Sequence, residues 1–302
     1  MGIQLDAEGW FSVTPEVIAD HVAQRVGSLA TSAAFRRGLP GNLPESQGII
    51  VMDAFCGCGG NSIAFGKLPY DQVAMVVCID LDRTKLRKAA QNACLYDIPK
   101  EKLIFVECNT LFVMEHCYRN GILQINELRS SGASLPDHVQ TEVCAGFFIG
   151  GLGMLPPRID AVFMDPPWGG VDYNALGKNG YTLESHMKIK RIGMKAKMPA
   201  IQDDFFDSFG TAGPVAPADD ENCMNGVHLL QMAASATRSR LVIYDLPRNT
   251  NKSALGQSAL VAGYRGNMKL EEHYLNGRLK TVTAYMGADY SNVLMGSEEQ
   301  SS

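Results

Sequence analysis

The chain has 302 residues, 46% of them apolar and 20% charged, with a net charge of −5 and a pI near 5.7. That composition belongs to a folded globular chain, and the acidic balance excludes broad binding along a nucleic-acid backbone, while a compact phosphorylated ligand needs only a few local Lys and Arg. Eight Cys without paired C-x-x-C units fit neither a zinc site nor a disulfide framework, and there is no spanning-length apolar run or secretory leader, so a soluble, metal-free chain in a reducing compartment is expected.

Short apolar runs that end in acidic or turn residues recur between helical stretches, the pattern of a parallel sheet with crossover helices. Residues 48–53 read as the first strand, 61–67 as the start of a helix, and 75–80 as the second strand. A helix is predicted over 83–96, where Leu86, Ala89, Ala90, Ala93 and Leu95 recur at near-helical spacing, and a third strand over 103–107. Residues 160–164 form the fourth strand, 223–237 a helix and 240–245 the fifth strand. The runs 269–275 and 280–286 flank Asn276-Gly277, a strong hairpin dipeptide, which places an antiparallel strand at one edge. Two stretches break the rhythm. Residues 111–158 read as an inserted, partly helical surface excursion, and 178–217 as a charged loop or a lid, because connections this long are uncommon in compact domains. A disordered tail is expected over 297–302.

Two turns carry the chemistry. The first strand runs into Val51-Met52-Asp53-Ala54-Phe55-Cys56-Gly57-Cys58-Gly59-Gly60-Asn61. Glycines here let backbone approach a ligand, and the following helix start offers free N–H groups to a carboxylate. The dinucleotide fingerprint needs glycine at 62, where Ser62 stands, so pyrophosphate is the weaker ligand. Asp53 suits an ammonium group instead. Asp80, ending the second strand, suits both hydroxyls of a ribose, Leu81 the wall of an adenine pocket, and Asn109 an adenine edge. An amino acid joined to an adenosine is S-adenosylmethionine. Helix capping is the structural alternative for Asp53 and Asp80. The fourth strand ends on Asp165-Pro166-Pro167-Trp168, which holds a carboxylate, a rigid turn and a flat ring in one arc, a set suited to an exocyclic amino group on a planar base. A surface turn with a partly buried Trp is the bland alternative.

The glycine turn, Asp80 and the Asp-Pro-Pro-Trp turn resemble methyltransferases of amino nitrogens that use S-adenosylmethionine. Residues 5–16 (with Gly9-Trp10-Phe11), 167–173, Leu246-Pro247-Arg248-Asn249 and 276–285 narrow the resemblance to the trimethylguanosine synthases. The resemblance covers most of the chain apart from 111–158 and much of 178–217. It implies a Rossmann-like class I methyltransferase fold: α/β, with a mostly parallel seven-stranded sheet, an antiparallel C-terminal edge strand and helices on both faces. Residues 1–47 become a segment covering the cofactor and cap pockets, with 48–296 the methyltransferase domain. Asp165 and the Pro166 carbonyl orient the amino group, and Trp168 stacks on the positively charged 7-methylguanine, favouring it by roughly 1–2 kcal/mol through cation–π attraction. Phe11, Thr14, Asp53, Ala54, Gly57, Gly59, Asp80, Leu81 and Asn109 hold the cofactor. Tyr173, Arg248, Asn249 and Lys280 meet the rest of the cap, the two cations its triphosphate. The implied partner is 7-methylguanosine-capped RNA of the small nuclear and nucleolar kind, and the implied state a nuclear monomer without metal or membrane. Gln4 stands where family members commonly carry Lys, which weakens one phosphate contact. Methylation of a base within DNA or ribosomal RNA, and an inactive cap-binding module, are the competing functions.

Overall fold

In the computed structural model, the described residues are 2–7, 9–39, 43, 44, 46–131, 135, 139–192 and 223–287. The expected tail at 297–302 and the part of the charged loop at 193–217 lie outside them. The apolar runs become strands β1 (Ile49–Asp53), β2 (Val73–Asp80), β3 (Leu103–Glu107), β4 (Glu142–Cys144), β5 (Phe147–Gly150), β6 (Ala161–Met164), β7 (Leu241–Pro247), β8 (Met268–Leu275) and β9 (Arg278–Met286). They form one nine-stranded sheet in the order β8-β9-β7-β6-β1-β2-β3-β5-β4. From β7 to β5 the pairings are parallel. Strands β1 and β6 are buried at every position, as continuous apolar runs covered on both faces should be.

The α/β class holds, but the sheet differs from the expectation at both edges. The C-terminal strand β9 is antiparallel yet lies one place in from the edge, between β7 and β8. Burial explains the order. Val282 to Met286 in β9 are all buried, whereas β8 alternates Lys269, Glu271 and Glu272 with apolar residues and tolerates an edge. The Asn276-Gly277 turn takes positive φ at both residues (51° and 72°), the conformation this dipeptide favours in a two-residue hairpin. At the other edge, β4 and β5 add two strands that were expected to be part of a surface excursion. Phe147 and Ile149 are fully buried there, and Leu111, Val113 and Met114 also enter the core. Likewise Tyr181, Leu183 and Met187 are buried, so the stretch before residue 193 is no solvated loop. It ends in a two-stranded ribbon pairing Lys188–Lys190 with Cys223–Asn225.

Among the described residues, the helices include α1 (Gly9–Ser12), α2 (Glu16–Thr31), α3 (Ala33–Gly38), α4 (Gly60–Gly66), α5 (Arg83–Leu95), α6 (Gly226–Ser235) and α7 (Lys252–Val261). Helix α6 starts later than predicted because Asn225 caps it, its Oδ1 accepting from the N–H groups of Val227 and His228 at 3.0 Å each. Helix α2 fills a core layer beside α4. Its buried Ile18, Ala19, Val22, Ala23, Val26, Leu29 and Ala30 follow a helical stripe and share one apolar cluster with Val51, Phe65 and Phe163. The residues before the first strand therefore support the sheet as well as reaching its ligand edge.

Candidate active site

Strand β1 pairs with β2 on one side and β6 on the other, so the order of the sheet reverses between β1 and β6. Open α/β sheets bind ligands beyond the strand C-termini at such a switch point. Asp53 ends β1, Asp80 ends β2, and Asp165 follows β6.

Asp53 is 1% exposed, and its Oδ2 accepts from Ser62 Oγ at 2.6 Å. Burial raises its pKa to about 7 against the help of that bond. Asp80 accepts from the Gly57 N–H at 3.0 Å and from the Asp82 N–H at 2.8 Å. Burial raises it as well, opposed by the Asp82 N–H, the Lys85 charge and the Gly57 N–H. Gly59 begins α4 with φ of 88°, and a Cβ there would stand 2.9 Å from the Ala89 Cβ of α5. Only glycine satisfies both conditions. Leu81 is 49% exposed, and Ala54 is buried with its N–H donated to the Phe163 carbonyl. Asn109 is engaged on both sides: Oδ1 accepts from the Leu111 N–H at 2.9 Å, and Nδ2 donates to the Ile192 carbonyl at 2.6 Å.

Thr14 joins the N-terminal segment to the second turn. Its hydroxyl donates to Asp165 Oδ2 at 3.0 Å and accepts from Asn61 Nδ2 at 3.2 Å. Phe11 stands in α1, and its side chain lies outside the described residues. Burial, then the charge of Asp245, pushes Asp165 well above the usual carboxylate range, with the Thr14 bond opposing. Pro166 is buried, and Trp168 is half-buried with its ring edge-on to Tyr173 at 5.5 Å and 86°. Asn249 sits beneath this pair, 8% exposed, with Nδ2 donating to the Tyr173 carbonyl at 2.7 Å. It secures the turn rather than lining its surface. Arg248 and Lys280 are exposed, and Arg248 Nη2 donates to Asn174 Oδ1 at 2.9 Å. Pro247 pairs with Thr281, which puts these two cations at adjoining places where β7 leaves and β9 runs past.

Residues 48–289 match the family model described as RNA cap guanine-N2 methyltransferase. The chain belongs to the RNA cap guanine-N2 methyltransferase family. It is similar to the trimethylguanosine synthase of Schizosaccharomyces pombe, 29% identical over 182 residues that cover 60% of this chain and 52% of the relative. The trimethylguanosine synthase of Saccharomyces cerevisiae is 27% identical over 187 residues, covering 62% of this chain and 41% of the relative. The chain thus spans about half the length of the curated relatives it matches. A solved S-adenosylmethionine-dependent methyltransferase from Agrobacterium tumefaciens is 10% identical at a TM-score of 0.46, covering 91% of this chain and 63% of that one.

Members of this cap methyltransferase family use S-adenosylmethionine, and the residues present fit it. Among the described residues Asp53 Oδ1 is buried without a hydrogen-bond partner. A cationic ammonium beside it would satisfy that oxygen and restore the charged carboxylate. The Asp80 oxygens keep lone pairs for hydroxyl donors, and Leu81 offers apolar surface beside them.

Sequence reasoning missed four participants. Ser62, noted only as a break in the dinucleotide pattern, is the donor to Asp53. Asn61 supports Thr14. Asp245, toward the C-terminal end of β7, pairs with Thr283 in the middle of β9; Asp245 is 1% exposed and its Oδ1 accepts from Thr283 Oγ1 at 2.7 Å. A signal for Asp245 was present, since it ends an apolar run just as Asp53 and Asp80 do. Thr283 carried no such signal, because its partner comes from another strand.

Proposed function

We propose that this chain transfers methyl groups from S-adenosylmethionine to the exocyclic N2 of a 7-methylguanosine RNA cap, forming the 2,7-dimethyl and 2,2,7-trimethyl caps of small nuclear and nucleolar RNA. The observation that carries the reading is the Asp165–Trp168 turn, locked by Thr14 on one side and by Tyr173 over Asn249 on the other. When bound, S-adenosylmethionine supplies an activated methyl group on a sulfonium.

The chain's own residues place the acceptor. Trp168, held edge-on by Tyr173, presents a ring face for a cationic 7-methylguanine, and cation–π attraction of roughly 1–2 kcal/mol disfavours an unmethylated base. Asp165 and the Pro166 carbonyl accept from the amino N–H groups and fix the direction of the nitrogen lone pair. Such placement supplies much of the acceleration of a displacement reaction. A carboxylate raised by burial is also a stronger base than an ordinary one, so Asp165 suits the late removal of the amino proton. Arg248 and Lys280, adjoining and exposed, meet the triphosphate. The test is mass spectrometry of 7-methyl-GDP and GTP after incubation with the protein and S-adenosylmethionine. One or two added methyl groups on 7-methyl-GDP and none on GTP are expected; equal transfer to both removes the role given to Trp168.

A further inference from the structure

One buried carboxyl in the strand-end cluster has no part in methyl transfer as described. Tyr244 pairs with Met164 in parallel register, so Asp245 and Asp165 occupy the next level of adjoining strands. Side chains at one level of a parallel pair share a face. Asp245 Oδ1 accepts from Thr283 Oγ1 at 2.7 Å, and the same hydroxyl lies 2.8 Å from His273 Nε2. Among the described residues Asp245 Oδ2 makes no hydrogen bond, and neither does the neighbouring Thr281 hydroxyl. A buried carboxylate oxygen without a donor is costly as an anion, and two close carboxyls resist ionising together. A proton on one of them relieves both. Burial raises Asp245 to about 7, opposed first by the Thr283 hydroxyl, in accord with that placement.

We propose that Asp165 and Asp245 hold one proton between them, and that the row Asp245–Thr283–His273 carries away the proton released when the amino nitrogen is methylated. This rests on the N2 transfer proposed above. In that transfer a nitrogen–carbon bond forms, the donor's carbon–sulfur bond breaks with its electron pair left on sulfur, and the nitrogen gives up one proton to Asp165. The Thr283 hydroxyl, which donates to Asp245 at rest, first turns toward His273 Nε2. Asp245 then releases its proton from Oδ1 to Thr283 Oγ1 as the threonine proton passes to His273 Nε2, and the imidazole gives its Nδ1 proton to solvent. Exchange of the imidazole protons with solvent returns His273 to its first tautomer and resets the row, since a threonine oxygen can both donate and accept.

The surroundings suit an outlet. His273 is 7% exposed and stands edge-on to His21 of α2, 5.6 Å between ring centroids, and the His21 side chain is 45% exposed. Burial, then the charge of His21, lowers the pKa of His273, which favours the neutral imidazole that the row needs. The other charged and titratable groups around the row are Asp53 from β1, Tyr285 from β9, and Glu271 from β8, which is bound by Arg25 and His21.

The test reads the carboxyls directly, by 13C NMR of ligand-free protein labelled at the aspartate carboxyl carbons, beside rate–pH profiles on 7-methyl-GDP. Asp165 and Asp245 are expected to titrate as a pair in two separated steps, the upper above about pH 6. In Asp245→Asn the upper step disappears, and Asp165 titrates lower by about one pH unit or more. The near-isosteric Thr283→Val is expected to slow transfer about tenfold, with S-adenosylmethionine binding by calorimetry unchanged, and Thr283→Ser to restore the rate. Both carboxyls ionised by about pH 5 in the wild type, or a Thr283→Val variant as fast as the wild type, overturns the proposal. Paired titration without transfer to 7-methyl-GDP supports the pair and overturns the substrate reading, because the carbon signals need no substrate.

Discussion

Asp80 and Asp165 both follow strands of the parallel sheet, yet their surroundings differ. Asp80 accepts two backbone N–H groups and has Lys85 nearby. Asp165 has one side-chain donor, Thr14, and a second carboxyl beside it. Burial raises both carboxyls, but at Asp80 the backbone donors and the cation pull back toward a charged acceptor, suited to neutral hydroxyls. Desolvation and a like charge favour a proton, suited to a group that handles one. On the proposed function, the same strand-end position yields a binding residue on one side of the switch point and a reacting one on the other.

That contrast can be broken most sharply at Asp165. Asp165→Asn keeps the shape and is expected to lower the methyl-transfer rate by about a hundredfold or more, with S-adenosylmethionine affinity within a few-fold of wild type. Single-turnover kinetics beside calorimetry checks the split. Asp80→Ala is expected to behave in the opposite way. Donor affinity falls about tenfold to thirtyfold, the loss of one or two charge-assisted hydrogen bonds, while the rate at saturating donor stays close to wild type. If both variants lose rate and affinity alike, the division of labour fails.

A pH series on ligand-free protein sharpens the comparison. Asp53 and Asp245 have folded pKa values raised to about 7, above their unfolded values. The folded protein therefore binds the extra protons, and stability is expected to rise as pH falls from about 7 toward 4. The slope is roughly 1 kcal/mol per pH unit for each such carboxyl. Denaturant midpoints across that range measure it, and Asp245→Asn should flatten the slope. The smallest effect is assigned to Arg248→Ala. Its side chain is exposed, so affinity for 7-methyl-GDP should weaken only a few-fold, and less at high salt.

Much of this site was legible because it is built from local chemistry. Asp165-Pro166-Pro167-Trp168 is rigid by virtue of its prolines, and Gly57 and Gly59 adopt positive φ because they lack a Cβ. The strands announced themselves as apolar runs ending in Asp53, Asp80 and Asp245, and the hairpin as Asn276-Gly277, since each property belongs to a few neighbouring residues. Helix α2 was also legible in its stripe of Ile18, Val22, Val26 and Leu29.

Tertiary structure alone decided who meets whom. Whether β9 or β8 takes the edge, and whether Phe147 and Ile149 join the sheet, depends on which faces the rest of the fold covers. The pairing of Tyr244 with Met164 brings Asp245 level with Asp165, and that of Asp245 with Thr283 brings a hydroxyl to it. Thr14 meets Asp165 across 151 positions of chain. A sequence states which groups can ionise; their proton affinity depends on burial and on neighbours brought from distant strands, and those exist only once the chain has folded.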